Sequence, residues 1–317
     1  MLAITGATGK LGGKVASRLA KLNMAQRLIV RNPVRAPELP RADIAQISSY
    51  GDATAMKRAL AGIRTLFLIS AHDRMGVNHR AAIAKEPYPH YDRVEQQITA
   101  VDAAVAAGVQ HVVYLSILNA KADAIFILAS DHFYTEEHIR TLGVPFTFLR
   151  ASLYMDNVPL RVSDDGVIRA PAGEGHVAWV TRDDIADVAV SVMTGSGHEG
   201  CAYDVTGPEA LTMAQTAERL SHVTGKKICY QAQTADEARR THNTTGLDKF
   251  EAERRELTGR GLDEYEVEVW VTHYLQIANG ELDRVSDTVP KLTGHKAQSL
   301  AEYLQEHPES YRHLVVS

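Results

Sequence analysis

Over the first 150 residues, short apolar runs alternate with longer segments whose apolar positions recur at the spacing of a helix. The apolar runs predict strands over 2–4, 27–30, 44–47, 65–70, 111–116 and 145–150. The longer segments predict helices over 10–22, 53–61, 94–107 and 130–142. Strands that alternate with helices in this way favour an α/β fold with a parallel, doubly wound sheet and right-handed crossovers.

After residue 150 the pattern becomes irregular. Short extended segments are predicted over 167–169, 177–180, 202–205 and 228–230, and helices over 183–193, 213–224, 235–240, 248–257 and 264–279. Thr181 and Asp184 have the spacing of a capping box at the start of the first of these helices. We expect one domain over 1–150 and a smaller C-terminal α/β domain over 151–317, with the helix at 182–194 packing back on the first.

The first strand leads into the sequence Gly6-Ala-Thr-Gly9-Lys-Leu-Gly12, and a helical pattern follows at once. Gly6 permits a turn too tight for a Cβ atom, Gly9 lets the backbone approach a ligand, and Gly12 lets the helix pack closely on the strand. A phosphate group would bind the N–H groups at the start of the helix near Lys10. Strand, glycine loop and helix in this order predict a dinucleotide-binding unit of the Rossmann type; a glycine turn without a ligand is the alternative.

Polar positions after the second and third strands bear on the choice of nucleotide. Arg31 ends the second strand, Arg35 is nearby, and no acidic residue lies between them. An acidic side chain there would bind the ribose 2′-hydroxyl of NAD, whereas arginine binds a 2′-phosphate, so NADPH is favoured over NADH. A surface arginine without a ligand is the alternative. Asp52 stands at a strand-to-helix junction, where it caps the helix or approaches the adenine; capping is favoured.

Composition narrows the class of protein. The chain has 317 residues, 45% hydrophobic and 23% charged, with a net charge of −5. These values are typical of a globular protein, and the lack of a basic run argues against nucleic acid as a partner. No apolar stretch is long enough to span a bilayer, and the N-terminus has the pattern of a strand rather than a signal peptide. We therefore expect a cytoplasmic protein without membrane contact.

The spacing of cysteine and histidine argues against a metal site. Cys201 and Cys229 do not have CxxC spacing. His72, His79 and His90 lie in an irregular stretch over 72–91 but have no tight ligand spacing. We expect no metal and interpret this stretch as a flexible loop over the nucleotide crevice.

Candidate catalytic residues follow the fifth strand. Short-chain dehydrogenases use a Tyr-x-x-x-Lys pair whose lysine lowers the tyrosine pKa, and no such pair follows this strand. Tyr134 and His138 stand one helical turn apart, but a neutral histidine replaces a fixed cation poorly. His132, near the helix start at the carboxyl edge of the sheet, is favoured as a contact to cofactor or acceptor, and Ser116 is a further candidate. A purely structural hydrogen bond is the alternative for each.

A family resemblance rests on motifs that occur in order along the chain: TGATGKLGGKVASRL, LIVRNP, GDAT, LFLIS, AAGVQHVVYLS, HFYTE, VPFTFLRASLYMDN and VTRDDIA. In this set the chain resembles the NmrA-like branch of the atypical short-chain dehydrogenases. Within that branch it is similar to the type 2 NAD(P)H:quinone oxidoreductases and triphenylmethane reductases of bacteria. The resemblance covers about 1–224 well. The stretches 71–92 and 235–263 depart from the family pattern and leave the substrate open.

The resemblance implies roles at matching positions. Cofactor contacts are expected from Gly6, Thr8, Gly9, Lys10, Leu11, Arg31, Ile69, Ser70 and His132, and Asp52 joins them by its position. Arg31 is expected on the 2′-phosphate, with Ile69 and Ser70 beside the ribose. Tyr154 and Asn157 are expected to border the nicotinamide and the substrate. The candidate catalytic residues are His132, which matches the histidine of the family's H-x-x-T-E element, Ser116 and Tyr134.

Two functions fit these features. The first is an NADPH-dependent oxidoreductase that transfers a hydride directly to a quinone, dye or similar conjugated acceptor without a tyrosine/lysine dyad. The second is a non-catalytic, NADP(H)-sensing regulator that binds a protein partner. The match around His132 and a C-terminal region large enough to close a pocket favour the enzyme. The absent lysine disfavours a nucleotide-sugar epimerase, and a homodimer is left open.

Overall fold

Strands and helices alternate in the computed structural model, which describes residues 1–70, 91–241 and 264–315. Most of the predicted loop 72–91 with its three histidines, and the predicted helix 248–257, lie outside the described residues. The strands are β1 (Leu2–Thr5), β2 (Gln26–Val30), β3 (Ala42–Gln46), β4 (Thr65–Ile69), β5 (His111–Ile117), β6 (Phe146–Ala151), β7 (Val167–Ala170), β8 (His176–Val177), β9 (Cys201–Val205), β10 (Leu211–Thr212) and β11 (Cys229–Ala232). The α-helices are α1 (Lys10–Lys21), α2 (Ala53–Ala59), α3 (Tyr91–Ala106), α4 (Ile127–Thr141), α5 (Arg182–Thr194), α6 (Met213–Thr224), α7 (Ala235–Thr241), α8 (Glu264–Ala278), α9 (Thr288–Thr293), α10 (Leu300–Glu306) and α11 (Arg312–Val315).

Seven of the described strands form one parallel sheet in the order β3-β2-β1-β4-β5-β6-β9. Its central strands are apolar because helices cover both faces. On one face Ile4, Phe67 and Leu149 pack in a cluster with α1 and α5. On the other face Leu66 and Leu68 pack in a cluster with α2 and α3. The predicted Rossmann-type, doubly wound α/β fold is confirmed.

The order of the strands reverses between β1 and β4, which defines the switch point of the sheet. The chain leaves these neighbours in opposite directions, so a crevice forms at their carboxyl ends. The buried Thr5 hydroxyl accepts a hydrogen bond from the Ile69 N–H at 2.8 Å, which continues the β1–β4 contact past the last paired residues. The glycine loop after β1 and the end of β4 therefore meet at the switch point.

The chain beyond residue 150 returns to the large sheet. Strand β9 pairs in parallel with β6, and α5, which precedes it, packs on α1. Ion pairs reinforce that helix contact: Lys14 with Asp183 at 2.8 Å, and Arg18 with Asp187 at 2.6 Å. Sequence reasoning predicts β9 as a strand without placing it in the sheet. The division into two domains at residue 150 stays a prediction.

The remaining described strands form two small pairs beside the large sheet. β7 pairs in parallel with β11, and β8 pairs antiparallel with β10. With α6, α8 and α10 they enclose another apolar cluster, which contains Trp179, Tyr274 and Tyr303. In the described parts of the chain, no helix is both long enough and apolar enough to cross a membrane.

Some details of the predicted elements are wrong. Helix α4 begins at Ile127 rather than at 130. The strand predicted over 177–180 shortens to β8, because Val180 pairs with Tyr154 in an isolated bridge instead. The capping box is half correct: Thr181 Oγ1 accepts from the Asp184 N–H at 2.9 Å, but the Asp184 carboxylate accepts from the Thr181 hydroxyl rather than from its N–H. Helices α9 to α11 are short, and the sequence pattern does not predict them.

Candidate active site

The glycine loop is tightly folded against the start of α1. Gly6 has a φ of +62°, a left-handed conformation that favours glycine. A Cβ atom on Gly12 would lie 2.3 Å from the Gly6 carbonyl oxygen, so the helix could not approach the loop with any side chain at this position. The close contact of Gly12 is thus with the loop backbone that follows the strand, rather than with the strand as predicted.

The start of α1 presents backbone donors without a side-chain cap. Gly9 is the N-cap residue, it has no side chain to accept a hydrogen bond, and the first turn contains no acidic residue. The first N–H groups of a helix have no partner within the helix and carry the positive end of its dipole. An anionic group such as a phosphate fits this donor set.

A network of charged residues holds the loop after β6 over the start of α1. Lys10 Nζ lies 3.1 Å from a carboxylate oxygen of Asp156, which also pairs with Arg182. The Arg182 guanidinium lies over the Tyr154 ring, 4.1 Å from its centroid. Burial lowers the pKa of Arg182. Tyr154 and neighbouring Asn157, the predicted substrate residues, are therefore fixed to the same corner of the molecule as the glycine loop.

Arg31 directly follows β2, and Asp52 lies between β3 and α2 at the N-cap position of that helix. Arg31 is exposed at the end of β2. Asp52 accepts from the Ala55 N–H at 2.9 Å and from the Ser48 hydroxyl at 3.1 Å, and these hydrogen bonds lower its carboxyl pKa. The structure shows the capping role of Asp52. Its contact with the adenine stays a prediction, as does the 2′-phosphate contact of Arg31.

The end of β4 lies directly against the glycine loop. The Ile69 side chain is 3.6 Å from the position that a Cβ atom on Gly6 would take. The Tyr50 hydroxyl donates to the Ile69 carbonyl at 3.1 Å, which holds this strand end in place. Ser70, the next residue, accepts a hydrogen bond from Arg93 at 3.1 Å. The structure thus brings Ile69 and Ser70 to the switch point, as expected.

His132 lies in a buried hydrogen-bond chain between α3 and β5. Burial and the charge of Arg93 lower its pKa well below the ordinary value, so the ring is neutral. Its Nε2 atom is 3.0 Å from Arg93 Nη2, and its Nδ1 atom is 2.8 Å from the Tyr114 hydroxyl. Since a guanidinium only donates, Nε2 accepts, and the ring proton on Nδ1 is donated to Tyr114. Tyr114 in turn donates to Gln97 at 2.7 Å.

This proton order bears on whether His132 can donate a proton to a bound acceptor. Its N–H points along the chain to Tyr114, into the protein, and burial raises the pKa of that tyrosine. Neither group is therefore prepared to release a proton to an acceptor in the crevice. A contact between His132 and the cofactor stays a prediction.

Ser116 is engaged by a buried carboxylate. Its hydroxyl donates to Glu136 Oε1 at 2.6 Å. Glu136 is fully buried and also accepts from Arg150 and from Arg140. The Ser116 proton is therefore directed into the protein, and the predicted hydrogen bond between Ser116 and nicotinamide or acceptor stays a prediction. This cluster instead joins α4 to β5 and β6.

The Tyr134/His138 pair receives no support either. His138 Nε2 lies 2.7 Å from an Asp102 carboxylate oxygen on α3. The Tyr134 ring packs against Phe133, with centroids 5.4 Å apart. Because His138 pairs with Asp102 across two helices, its geometry is explained without catalysis. The catalytic assignment of Tyr134 stays a prediction.

Asp131 gives a pH-dependent prediction. Burial raises its pKa to about 6, although Arg93, 3.1 Å away, opposes the shift. The carboxyl group of Asp131 therefore binds its proton more tightly in the folded protein than in the unfolded chain. Protonated Asp131 stabilises the folded state, and this stabilisation is lost as pH rises through about 6. Between about pH 5 and about pH 8, the unfolding free energy of the wild type should fall by about 1 kcal/mol relative to Asp131→Asn.

Chemical denaturation of both proteins across this range measures that difference. Asp165→Asn is the matched control, since pairing with Arg169 lowers the pKa of Asp165 and leaves it ionised throughout the window. The prediction would be contradicted if the unfolding free energy of the wild type, minus that of Asp131→Asn, stayed constant or increased with pH.

A glycine loop at the switch point of a doubly wound sheet, with uncapped helix donors beside it, defines a dinucleotide-binding protein of the Rossmann class. The sequence profile of the NmrA-like family matches residues 1–248. The chain belongs to the NmrA-like family.

Similar proteins match along nearly the whole chain. It is 34% identical over 309 residues to quinone oxidoreductase 2 of Escherichia coli (strain K12), covering 95% of this chain and 96% of that protein. An Escherichia coli NADPH-dependent quinone oxidoreductase, solved in complex with NADPH, is similar with a TM-score of 0.79 and 30% identity over 96% of this chain and 99% of that one. The Citrobacter sp. triphenylmethane reductase in complex with NADP(H) has a TM-score of 0.77 and 30% identity, with coverage of 96% and 99%. The resemblance inferred from the motifs is confirmed.

Proposed function

We propose that the protein is an NADPH-dependent oxidoreductase that transfers a hydride directly to a quinone, a dye or a similar conjugated small molecule. The observation that supports this most is the glycine loop, folded at the switch point between Gly12 and Ile69. The relatives of the chain also support this proposal, because a quinone oxidoreductase and a triphenylmethane reductase match nearly the full length of this chain.

The residues at the switch point fit a bound dinucleotide. The N–H groups of Lys10 and Leu11 would hold the pyrophosphate, and Arg31 would hold the 2′-phosphate. Ile69 and Ser70 would flank the ribose. When bound, the nicotinamide supplies a hydride, which carries two electrons and one proton. A quinone that accepts it becomes an anion and takes one further proton from water.

The protein contributes orientation and charge rather than a proton donor. His132 and Ser116 both direct their protons into the protein. The Lys10–Asp156–Arg182 network holds the loop with Tyr154 beside the start of α1, and we place the acceptor against this loop. Holding two reactants in a reactive geometry accelerates transfer without acid–base chemistry.

The alternative is an NADP(H)-sensing regulator that binds a protein partner, and the inward proton order of His132 is compatible with it. Oxidation of NADPH in the presence of small quinones and cationic dyes distinguishes the two functions. Turnover with any acceptor supports the reductase. Tight NADPH binding without turnover on every acceptor would favour the regulator. A cytoplasmic location and a homodimer stay predictions.

Arg31→Ala tests the preference for NADPH. Loss of a charged contact to a 2′-phosphate should raise the KM for NADPH about tenfold to 100-fold, whereas the KM for NADH should change little. Steady-state kinetics with both nucleotides measures this split. Arg35→Ala is the matched control, because Arg35 is exposed on the turn that follows Arg31. Equal effects on both nucleotides would contradict the assignment, and a larger effect at Arg35 would move the phosphate contact there.

A further inference from the structure

Arg93 on α3 joins two residues at the carboxyl edge of the sheet that are far apart in sequence. Its Nη2 atom is 3.1 Å from Ser70 Oγ and 3.0 Å from His132 Nε2. Its Nη1 atom is 3.1 Å from an Asp131 carboxylate oxygen. The Arg93 side chain is 15% exposed and that of Asp131 is 1% exposed. One largely buried guanidinium therefore contacts the end of β4 and the first turns of α4 together.

The segment of α4 that begins at His132 lacks the fixed cation of the short-chain dehydrogenase motif. In the Tyr-x-x-x-Lys arrangement the cation is four residues after the tyrosine, on the same helix. Here the acidic Glu136 stands four residues after His132, and Arg150 and Arg140 pair with it. Arg93 reaches His132 from a different helix, so the positive charge is supplied from outside the motif.

We propose that Arg93 is a positioning residue for hydride transfer. It keeps His132 Nε2 as a hydrogen-bond acceptor, and it places a permanent positive charge at the crevice. This role rests on the proposed function. A guanidinium is suited to it, because it stays charged and its planar fork donates to several acceptors at once. Positive charge near the acceptor stabilises the anion that forms when a quinone takes up the hydride.

The contacts of Arg93 extend beyond one ion pair. Its Nη1 atom is directed to Asp131, whereas its Nη2 atom is directed to Ser70 and His132 at the carboxyl edge of the sheet. Loss of Arg93 would release His132 Nε2 from its donor and leave Asp131 buried without its cation. Both the orientation of the histidine and the charge at the crevice would change.

The test compares Arg93→Ala and Arg93→Lys with the wild type. Arg93→Ala should lower kcat for quinone reduction about 100-fold while the NADPH Kd, measured by fluorescence, changes less than about threefold. Millimolar guanidinium ion should restore part of that kcat, whereas sodium chloride at the same ionic strength should not. Arg93→Lys retains the charge without the fork and should lose about tenfold in kcat.

Arg27→Ala is the matched control. Arg27 is 19% exposed and pairs with Asp43, but it lies near the amino end of β2, away from the crevice. The kcat of the Arg27→Ala variant should not respond to guanidinium.

Each outcome decides for or against the role of Arg93. Unchanged kcat in Arg93→Ala, or a loss that guanidinium does not restore, would overturn it. If Arg93→Ala does not fold, an Arg93→Lys variant with wild-type kcat would overturn it. Absence of turnover in the wild type would refute the proposed function itself, and the role of Arg93 would fall with it.

Discussion

Gly12→Ala should weaken NADPH binding by about 100-fold or more, although it adds a single methyl group. The added Cβ atom would lie 2.3 Å from the Gly6 carbonyl oxygen and 2.7 Å from its carbon. Both atoms belong to the backbone, so the loop and α1 must separate, and the donors at the helix start would move away from the phosphate. Fluorescence titration with NADPH measures the change in Kd.

Gly13→Ala is the matched control for this substitution. Gly13 is the next residue in α1, and a Cβ atom there would meet only the Ala7 carbonyl oxygen at 3.3 Å. Alanine stabilises a helix interior relative to glycine by about 0.5–1 kcal/mol, so this variant should keep its affinity for NADPH and its stability. Wild-type affinity in Gly12→Ala would show that the cofactor does not depend on the loop.

Glu136→Ala should lower the free energy of unfolding by about 3–5 kcal/mol, because it breaks a buried ion pair and leaves its partners uncompensated. Glu136 is fully buried, and its carboxylate accepts from Ser116, Arg150 and Arg140. Those contacts hold α4, which carries His132, against β5 and β6. Urea denaturation of the variant and the wild type measures the loss.

Glu137→Ala provides the comparison. Glu137 is the next residue, pairs with the same Arg140, and is 48% exposed. Exposed ion pairs contribute little, so its loss should cost less than about 1 kcal/mol. Similar losses in the two variants would show that burial of Glu136 does not set the strength of this cluster.

The glycine loop is the part of the site that sequence reasoning predicts best, because its requirements are local. A strand, three glycines at fixed spacing and a helix occupy twenty consecutive positions, and Gly6 and Gly12 contact each other within that span. The central strands are predicted for a related reason. Burial on both faces makes β1 and β4 apolar at nearly every position, whatever the rest of the fold.

The surroundings of His132 could not be predicted in the same way. Its hydrogen-bond partners are Tyr114 on β5, 18 positions away, and Arg93 on α3, 39 positions away. No periodicity relates these positions, so the neutral tautomer and the cation beside it follow only from the packing of α3, α4 and β5. Ser116 shows the same limit: its place at a strand end is predictable, but its contact with Glu136 is not.

Long-range packing also determines the last strand of the sheet. The apolar pattern over 202–205 predicts a strand, yet nothing local assigns it to a sheet. Its place beside β6 depends on α5. Asp183 and Asp187 of α5 pair with Arg18 of α1, which comes before most strands of the large sheet in the sequence. Such pairs, separated by 165 and 169 positions, leave no signal in a local pattern.

Direct transfer of hydride is the central claim, and isotopic labelling tests it most directly. NADPH that carries deuterium at the transferred position of the nicotinamide is incubated with the protein and a cationic triarylmethane dye, whose reduced form holds the new hydrogen in a non-exchangeable C–H bond. Mass spectrometry of the reduced dye then locates the label. We predict one deuterium per molecule of product and a slower single turnover than with unlabelled NADPH. Reduced dye without deuterium, or no reduction of any dye or quinone although NADPH is bound, would contradict the account.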